Sequence, residues 1–579
     1  MANPKKRRLS TLCVITFFMV MIGLTPGMAQ AYDNPDYTIP EIQGDGFSPT
    51  IPSNLYIDTW GVVTADYQDE IKRGFFVQDP VGDGNPATSD GIFVYKYDYD
   101  VEVGDYVKLQ GKVSEYYGMT QMYKPYVTIE DTGYPLPAAV ELDPPTDDYA
   151  SDVYYESLEG MLVCVSEMRV IAGTDQYGEF AGVVADSGIT RVFENDPVGT
   201  GNIIFADDSG GLVVNVRSGT LVKNLCGPLD YTYDEYKIQP GVDAPPELCP
   251  DWWPESTWVW PLGMRFGFTV ATYNLYNLFD EFDDPEKEDQ VLDPEEVELL
   301  LTKHALAIRD YLRMPDLIAV QEVENIEILE RLANTEPIAG YYGAVLIDGP
   351  YPRAVDVGLL YRLSRVEVVS AEARQTCTDL EDGYGPPSDP NYPCPEGYGP
   401  LFSRPPLVVH LKTIPRFRRW SCWSWCNPGT DLWLIVNHFK SKSTYAPYYA
   451  DTEPRRIQQA EWVGSLVDEI QAANYMAKVM VIGDLNSYEE EAPITTLMDG
   501  GLTNLIFEVN RRSRYSYIYR GMSGVLDHVL VTPSMHRNFL FARFVHFNTD
   551  FPLPLWSEDP TTGIRASDHD VFMASFWVR

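Results

Sequence analysis

Two different hydrophobic patterns follow one another along the chain. Between residues 54 and 135, apolar and polar positions alternate in short runs that are separated by glycine-containing turns, which predicts strands. The predicted strands are Tyr56–Thr64, Gly74–Gln78, Gly91–Tyr97, Asp105–Glu115 and Gln121–Ile129. Short strands packed this closely in sequence are typical of a small closed barrel of the OB type, so we predict an all-β, OB-like domain over residues 32–135.

A layered α/β domain is predicted for the C-terminal part of the chain, residues 266–579. Apolar strand-like runs there alternate with longer helical patterns, at Asp293–Leu312 and Pro454–Asn474. Residues 136–255 begin with a segment rich in Pro and Asp and continue as a β pattern. We predict a second β-rich region there, to which the sequence assigns no function.

The N-terminus has the parts of a secretory signal peptide. A basic start at residues 5–8 precedes the apolar run Leu12–Leu24, and Ala29 and Ala31 supply small residues at the spacing that a signal peptidase needs. The apolar run is too short to span a bilayer comfortably, and no other stretch is apolar enough to be a membrane helix. We therefore predict a signal peptide over residues 1–31 and a secreted protein, extracellular, periplasmic or at the cell surface.

The charge of the chain changes the expectation for its partners. Asp and Glu number 85 against 43 Lys and Arg, which gives a formal net charge of −42. Nucleic-acid-binding proteins usually carry a basic surface, so this balance argues against long-range attraction to a polyanion. Acidity that keeps an exported protein soluble is the simplest explanation, while bridging metal ions or a high-salt habitat would also relieve the repulsion. The 45% of hydrophobic residues excludes a disordered chain.

Cysteine pairing in an oxidising compartment is predicted from closeness in sequence. The predicted disulfides are Cys226 with Cys249, Cys377 with Cys394, and Cys422 with Cys426. Cys164 lies in an apolar run and is predicted to be a buried free thiol.

Polar side chains stand repeatedly at the ends of predicted strands in the C-terminal domain. They are Asn274, Glu322, Asn437 and His438, Asp484 and Asn486, Asp527 and His528, and Asp568 and His569. Strand ends hold side chains in fixed positions, so we expect one shared site where these ends converge. Carboxylate and amide oxygens suit Mg²⁺, Mn²⁺ or Ca²⁺, and histidines beside carboxylates suit proton transfer and phosphate contact. The set lacks the Cys/His pattern of structural zinc and a glycine-rich phosphate loop.

The motifs at these strand ends resemble those of the endonuclease/exonuclease/phosphatase superfamily in order and spacing. The matching segments are Tyr273–Asp280, Gln321–Asn325, Asn437–Lys442, Gly483–Asn486 and Ser567–His569. The likeness covers residues 266–579 and is closest to large secreted bacterial nucleases, whose N-terminal OB-like module the barrel region also resembles. The resemblance implies a four-layered α/β sandwich, in which two β-sheets pack face to face with helices outside.

The resemblance also implies which residues bind the metal and which residue acts on the attacking water. Glu322, with Asn274 and Asp568 nearby, would hold the metal, for which Mg²⁺ or Mn²⁺ is expected. Asp484 would orient or deprotonate the attacking water.

A second group of residues is implied to act on the phosphate. Asn486 would contact it, and His569, paired with Asp527, would be a base or a phosphate ligand. His438 would stabilise the phosphate or protonate the leaving group. The sequence leaves open which histidine is the acid and which is the base.

The favoured function is a secreted, metal-dependent phosphodiesterase, an endonuclease that hydrolyses DNA or RNA. One alternative is a lipid phosphodiesterase of the sphingomyelinase type, and another is a non-catalytic nucleic-acid-binding surface protein. The segment Arg416–Cys426, with three arginines and three tryptophans, fits stacking on bases, insertion into a membrane interface, or packing on a neighbouring domain. No membrane span is expected, and the oligomeric state stays open.

Overall fold

The structure is a computed structural model. It describes residues 35–52, 55–196, 200–249, 267–285, 287–349, 354–383, 393–414, 429–443 and 451–578. The predicted signal peptide and the segment Arg416–Cys426 lie outside these residues. Within them, no helix is long and apolar enough to cross a membrane.

The first domain is a closed five-stranded barrel, as the hydrophobic pattern predicts. A short helix, α1 (Ile39–Gln43), precedes β1 (Tyr56–Tyr67), β2 (Gly74–Gln78), β3 (Gly91–Tyr95), β4 (Tyr106–Tyr116) and β5 (Met119–Asp131). The strand order is β1-β2-β3-β5-β4, and the pairing of β1 with β4 closes the barrel. Alternate apolar residues such as Phe75, Val77 and Val94 fill its core. The predicted strand positions are confirmed, and the OB assignment stays a prediction.

The middle region, residues 136–249, is built mainly from one curved sheet. Its elements are β6 (Val140–Glu141), α2 (Asp148–Glu156), β7 (Leu162–Ala172), β8 (Phe180–Val184), β9 (Val192–Phe193), β10 (Ile204–Ala206), β11 (Leu221–Thr232), β12 (Glu235–Ile238) and β13 (Glu247–Cys249). Seven of these strands form a sheet in the order β13-β11-β12-β10-β8-β7-β6, and β11 also pairs with β7. The predicted β-rich character is confirmed.

One predicted disulfide in the middle region is wrong. Cys226 is bonded to Cys164, so the prediction of a free thiol at Cys164 is wrong as well, and Cys249 is a free thiol. The strand register explains the difference, because the antiparallel pairing of β7 with β11 sets Cys164 directly opposite Cys226, with their Cα atoms 4.1 Å apart. Cys249 pairs instead with Leu221, farther along β11. The predicted Cys377–Cys394 disulfide is confirmed, and Cys422 and Cys426 lie outside the described residues.

The C-terminal domain contains two six-stranded sheets. Sheet I has the order β16-β17-β15-β14-β29-β28, and its strands are β14 (Phe268–Leu278), β15 (Leu317–Val323), β16 (Tyr342–Leu346), β17 (Asp356–Arg362), β28 (Phe539–Val545) and β29 (Val571–Phe576). Sheet II has the order β18-β21-β22-β23-β27-β24, and its strands are β18 (Val366–Ala373), β21 (Leu407–Thr413), β22 (Asp431–His438), β23 (Val479–Asp484), β24 (Thr503–Asn504) and β27 (Asp527–Val531).

Helices and short strands complete the domain. The helices are α3 (Pro294–Asp310), α4 (Ile326–Ala333), α5 (Glu453–Ala473), α6 (Ala492–Asp499), α7 (Pro533–His536) and α8 (Leu553–Trp556). The short strands are β19 (Cys377–Thr378), β20 (Gly399–Pro400), β25 (Tyr517–Tyr519) and β26 (Met522–Gly524). Both long helices predicted from the sequence are confirmed, as α3 and α5.

Three apolar layers give this domain the predicted four-layered sandwich. Side chains from the facing sides of the two sheets, such as Val270 and Leu434, form a shared core. The other face of sheet I packs on α3 and α4, through residues such as Leu301 and Leu329. The other face of sheet II packs on α5 and α6. The order is therefore helix, sheet, sheet, helix.

Candidate active site

The strand ends singled out in the sequence meet at one edge of the sandwich. β14 is parallel to β15 in sheet I, and β22 is parallel to β23 in sheet II, so each pair ends on the same side. β27 and β29 run antiparallel to their neighbours and therefore begin where those neighbours end. The register places His438 beside Asp484, and Asp484 beside Asp527.

A local distortion of β15 turns Glu322 into the site. The pairing of β15 with β17 shifts register between Gln321 and Val323, and Glu322 has a φ of 60°. Such a left-handed residue in a bulge redirects its side chain and costs about 1–3 kcal/mol of strain, which the surrounding structure has to offset. Two hydrogen bonds then fix the carboxylate, since Asn274 Nδ2 donates to Oε1 (3.1 Å) and the Asn277 backbone N–H donates to Oε2 (3.0 Å).

Glu322, His438 and Asp484 form a cluster that can hold a metal ion. One potential ligand atom from each of them lies within 4.8 Å of the others. His438 Nε2 is 3.8 Å from Glu322 Oε1 and 3.6 Å from Asp484 Oδ2. Asn274 Nδ2 also donates to Asp484 Oδ2, at 3.3 Å, and so connects the two sheets. His438 and Asp484, which are predicted from the sequence to act on the phosphate and the water, both lie beside Glu322.

His569 and Asp527 form a buried pair next to this cluster. His569 Nδ1 donates to Asp527 Oδ2 at 2.7 Å, and the two side chains are 7% and 0% exposed. Ser567 holds the histidine in place, because its Oγ accepts from the His569 backbone N–H (3.0 Å) and donates to the Asn274 carbonyl (2.8 Å). The ring of Tyr517 lies against the imidazole, with centroids 4.8 Å apart.

Burial and crowding change the protonation of this site. Burial raises the pKa of Asp484 to about 7, with Asp527 and Glu322 adding to the rise and His569 opposing it. Burial would lower the pKa of His569, but Asp527, Asp568 and Asp484 together raise it well above its usual value. These carboxylates therefore favour the protonated, imidazolium form of His569.

Asp568 gives the clearest sign that a cation fits here. Its Oδ1 is buried and has no hydrogen-bond partner among the described residues, and an unpaired buried carboxylate oxygen is costly. Burial and the charge of Glu322 raise the pKa of Asp568. Oxygen ligands without enough counter-charge are what a hard divalent cation requires, so the residues present fit Mg²⁺ or Mn²⁺.

Asn486 and His528 are held by contacts inside the protein. The Asn486 backbone N–H donates to Asp484 Oδ1 (2.8 Å), while its side-chain Nδ2 donates to the Phe439 carbonyl (3.2 Å). Asn486 has a φ of 46°, so it forms a tight turn that orients Asp484. His528 accepts from Asn504 Nδ2 (3.0 Å) and donates to the Ser487 carbonyl (2.8 Å). The second hydrogen bond holds the loop that follows Asn486 in place.

Two contributors to the site were missed in the sequence. Tyr517 comes from β25, and no feature of its surroundings in the sequence distinguishes it from other exposed-strand tyrosines. The irregular end of β14 at Tyr276 and Asn277, where both residues have a positive φ and the register with β15 shifts, delivers the backbone N–H that binds Glu322. The Asn277 position is the one signal available, because Asn tolerates the left-handed region better than most residues.

Comparison with known families identifies the C-terminal domain. A model described as "Endonuclease/Exonuclease/phosphatase family" matches residues 269–384 and 427–545. The C-terminal domain matches this family. Its members are hydrolases of the nuclease and phosphatase type that generally depend on divalent metals, in agreement with the cation site. The match ends before Ser567–His569, so the place of that motif in the site rests on the structure.

The same comparisons add three facts. A second model, a domain of unknown function, matches residues 124–248, which cover most of the last barrel strand and the middle region. No curated protein matches the chain. Many solved structures also match it, among them the three described next, with TM-scores of 0.33 to 0.34.

Three of these solved structures serve as examples of the identity and coverage of the matches. The human Nocturnin catalytic domain is 15% identical over 54% of this chain and 95% of its own, with a TM-score of 0.33. TDP2 from Caenorhabditis elegans is 15% identical over 54% of this chain and 74% of its own, with a TM-score of 0.34. A mannosyl-6-phosphatase from Bacteroides thetaiotaomicron is 13% identical over 53% and 98%, with a TM-score of 0.33.

Gly483 is predicted to be indispensable, because it lets β22 and β23 approach closely beside Asp484. Its φ is 139°, and a Cβ there would overlap the Asn437 carbonyl oxygen. Backbone strain of this kind costs about 1–3 kcal/mol before the overlap is added, so Gly483→Ala should lower the free energy of unfolding by more than ~3 kcal/mol.

Gly464→Ala is the matched control for this prediction. Gly464 lies in α5 with no atom near its missing Cβ, so alanine should leave stability unchanged or raise it by about 1 kcal/mol. Urea denaturation followed by circular dichroism measures both variants. Equal stabilities would show that the close approach at Gly483 is not a constraint.

Proposed function

We propose that the chain is a secreted, metal-dependent phosphodiesterase, an endonuclease that hydrolyses DNA and, as a second substrate, RNA. The observation that carries the proposal is the meeting of the Asp527–His569 pair with the cluster of Glu322, His438 and Asp484 at one sheet edge. A phosphodiester placed between them would contact a cation site on one side and a charged imidazole on the other.

The cation site supplies the electrostatic part of the proposed chemistry. Glu322 and Asp568 would be its carboxylate ligands, with Asp484, His438 and the Asn274 amide around them. When bound, a divalent cation polarises the phosphoryl group and stabilises the negative charge that develops on its oxygens. Glu322 is held rigidly for this task by the two hydrogen bonds to its carboxylate.

The remaining groups handle the proton and the phosphate. Asp484, fixed by the backbone N–H of Asn486, is placed to orient the attacking water and accept its proton. The His569 imidazolium, held by Asp527, would bind a phosphoryl oxygen through Nε2. His438 would donate to a phosphoryl oxygen or to the leaving group. All of these groups are fixed by the protein before substrate arrives, which lowers the cost of reaching the transition state.

The export signal and the disulfides support the proposed secretion. A basic start followed by an apolar run at residues 1–31 is what the export machinery recognises. The bonds Cys164–Cys226 and Cys377–Cys394 are favoured in an oxidising compartment. The net charge of −42 is compatible with a nuclease if cations near the site and salt in the medium screen the polyanion.

A substrate comparison tests the proposal. The purified chain is incubated with supercoiled plasmid, single-stranded RNA and sphingomyelin vesicles, each with Mg²⁺, with Mn²⁺ and after dialysis against a chelator. We expect plasmid to be nicked and linearised with either cation, and the activity to vanish with chelator because Glu322 and Asp568 need a cation to act.

Each other result has a defined meaning. Cleavage of vesicles alone would replace the nuclease by the lipid phosphodiesterase. Binding of plasmid without cleavage would support the non-catalytic alternative. Full cleavage after chelation would contradict the metal-dependent mechanism.

Substitutions in the site separate its two halves. Asp484→Asn removes the proton acceptor and His569→Ala removes the phosphate-binding imidazolium, so each should lower kcat by about 10²–10⁴-fold without loss of fold. The controls are Asp499→Asn on the exposed end of α6 and His536→Ala, whose side chain is 38% exposed. Steady-state plasmid cleavage and thermal melts measure all four. Near-normal rates in either folded site variant would overturn the assignment of that residue.

A further inference from the structure

The middle region extends one largely buried arginine into the C-terminal domain. Arg191 lies just before β9, and its side chain is 14% exposed. Its Nη2 donates to Asp550 Oδ1 at 2.7 Å, and its Nη1 donates to Ser523 Oγ at 2.8 Å. The guanidinium also lies over the ring of Tyr515, 4.0 Å from its centroid. These contacts satisfy the guanidinium on several sides. Without them, an arginine in this position would be very costly to bury.

Asp550 and Tyr515 connect this arginine to the loop that carries His569. Tyr515 OH donates to Asp550 Oδ2 at 2.7 Å, so both oxygens of that carboxylate are held. Burial would raise the pKa of Asp550, but Arg191, His546 and Tyr515 lower it to about 2, so the ion pair stays charged. The ring of Tyr515 stacks on His546 with centroids 3.9 Å apart.

His546 connects Tyr515 to Asp570, the residue that follows His569. Its Nδ1 donates to Asp570 Oδ2 at 2.8 Å, and Asp570 Oδ1 accepts from the backbone N–H of Asn548 at 2.9 Å. Asn548 Nδ2 in turn donates to the His569 carbonyl at 2.6 Å. The loop that contains Asp568 and His569 is therefore tied on its outer side to the network around Arg191.

The segment Tyr515–Tyr517 lies at the centre of this network. Tyr515 contacts Arg191, and the ring of Tyr517 contacts His569. Between them, Ser516 Oγ accepts from the Asp527 backbone N–H (3.3 Å), and the Ser516 carbonyl accepts from the Asp570 backbone N–H (2.7 Å). One short segment thus touches both members of the Asp527–His569 pair or their immediate neighbours.

The middle region also adds a strand to the sheet that holds this segment. β9 pairs in parallel with β26, with Val192 opposite Met522 and Phe193 opposite Ser523, and β26 pairs with β25, which begins at Tyr517. Main-chain hydrogen bonds across an edge strand are a common way to fix one unit on another.

Three more contacts place the middle region along the same side of the site. The Leu553 backbone N–H donates to the Thr174 carbonyl at 2.8 Å, and the Ser218 backbone N–H donates to the Asp550 carbonyl at 2.9 Å. Tyr276, in the irregular end of β14 that holds Glu322, donates through its OH to Gln176 Oε1 at 3.3 Å.

We infer that the middle region, the segment matched by a domain of unknown function, is a working part of the active site, and that Arg191 is a positioning residue that fixes Asp527 and His569 through segment 515–517. This inference rests on the function proposed above for the same site. Arg191 touches neither the cation site nor the space for substrate. Its effect is therefore expected on the alignment of the Asp527–His569 pair and not on cation binding.

The first test does not depend on activity. Hydrogen–deuterium exchange is measured by mass spectrometry on the full chain and on the variants Arg191→Ala, Arg191→Lys and Arg511→Ala. Arg511 is the matched control, because its side chain is 50% exposed and pairs with Asp196 of the middle region. We expect faster exchange at residues 515–517, 546–550 and 567–570 in Arg191→Ala, and no change there in Arg511→Ala.

The second test uses steady-state cleavage and Mn²⁺ activation. Misplacement of a catalytic group by about 1 Å can cost ~10²-fold, so kcat of Arg191→Ala should fall by roughly 10–100-fold, with KM and the Mn²⁺ activation constant nearly unchanged. Added guanidinium should restore part of the rate to Arg191→Ala. Arg191→Lys is the milder change, because it keeps a cation near Asp550. Its kcat should lie between those of the wild-type chain and Arg191→Ala.

The outcomes distinguish this inference from the proposed function. Unchanged exchange in Arg191→Ala, or a kcat equal to that of Arg511→Ala, would overturn the positioning role. A rate loss matched by an equal loss of folded protein, in both Arg191 variants and without rescue by guanidinium, would also overturn it. If the wild-type chain cleaves no phosphodiester, the proposed function fails, while the exchange measurement still decides whether Arg191 holds the loop.

Discussion

The antiparallel pairing of β23 with β27, which sets Asp484 beside Asp527, is the constraint on which the site depends. Both strands have a partner on each side in sheet II, and their apolar side chains are part of the core between the sheets, so their ends cannot move without disturbing that core. Asn274 reaches across from sheet I to Asp484 and makes the separation of the two sheets part of the same constraint. The packing of the two sheets therefore also determines the geometry of the site.

Charge explains why that rigidity is needed. Several carboxylates and one imidazolium lie together with little solvent, and burial has raised the pKa of both Asp484 and Asp568. Groups in such surroundings would move apart or take up protons if the backbone allowed it. The bulge at Glu322 and the tight turn at Asn486 hold them instead, at a cost in local strain that the cores on both sides of the sheets offset.

The sequence predicts much of this arrangement, and its failures have physical causes. Apolar runs that give way to polar residues at Asp484, His438 and Glu322 reveal strand ends, because a strand turns polar where it leaves the apolar core. The pairing of Cys164 with Cys226 could not be predicted, since it depends on the register between two strands that are far apart in sequence. The role of Arg191 could not be predicted for the same reason. Nothing near it in the sequence records that its partner, Asp550, lies in another domain.

Calorimetric titration of Mn²⁺ into the full chain tests the central claim, that these strand ends form a cation site. The titration is run at about 0.15 M salt, where exposed carboxylates are largely screened. Wild-type protein should bind one Mn²⁺ more tightly than all others, and Glu322→Gln should lose that ion while Glu327→Gln, on the neighbouring helix, keeps it. Equal binding by the wild-type and Glu322→Gln chains would contradict the account.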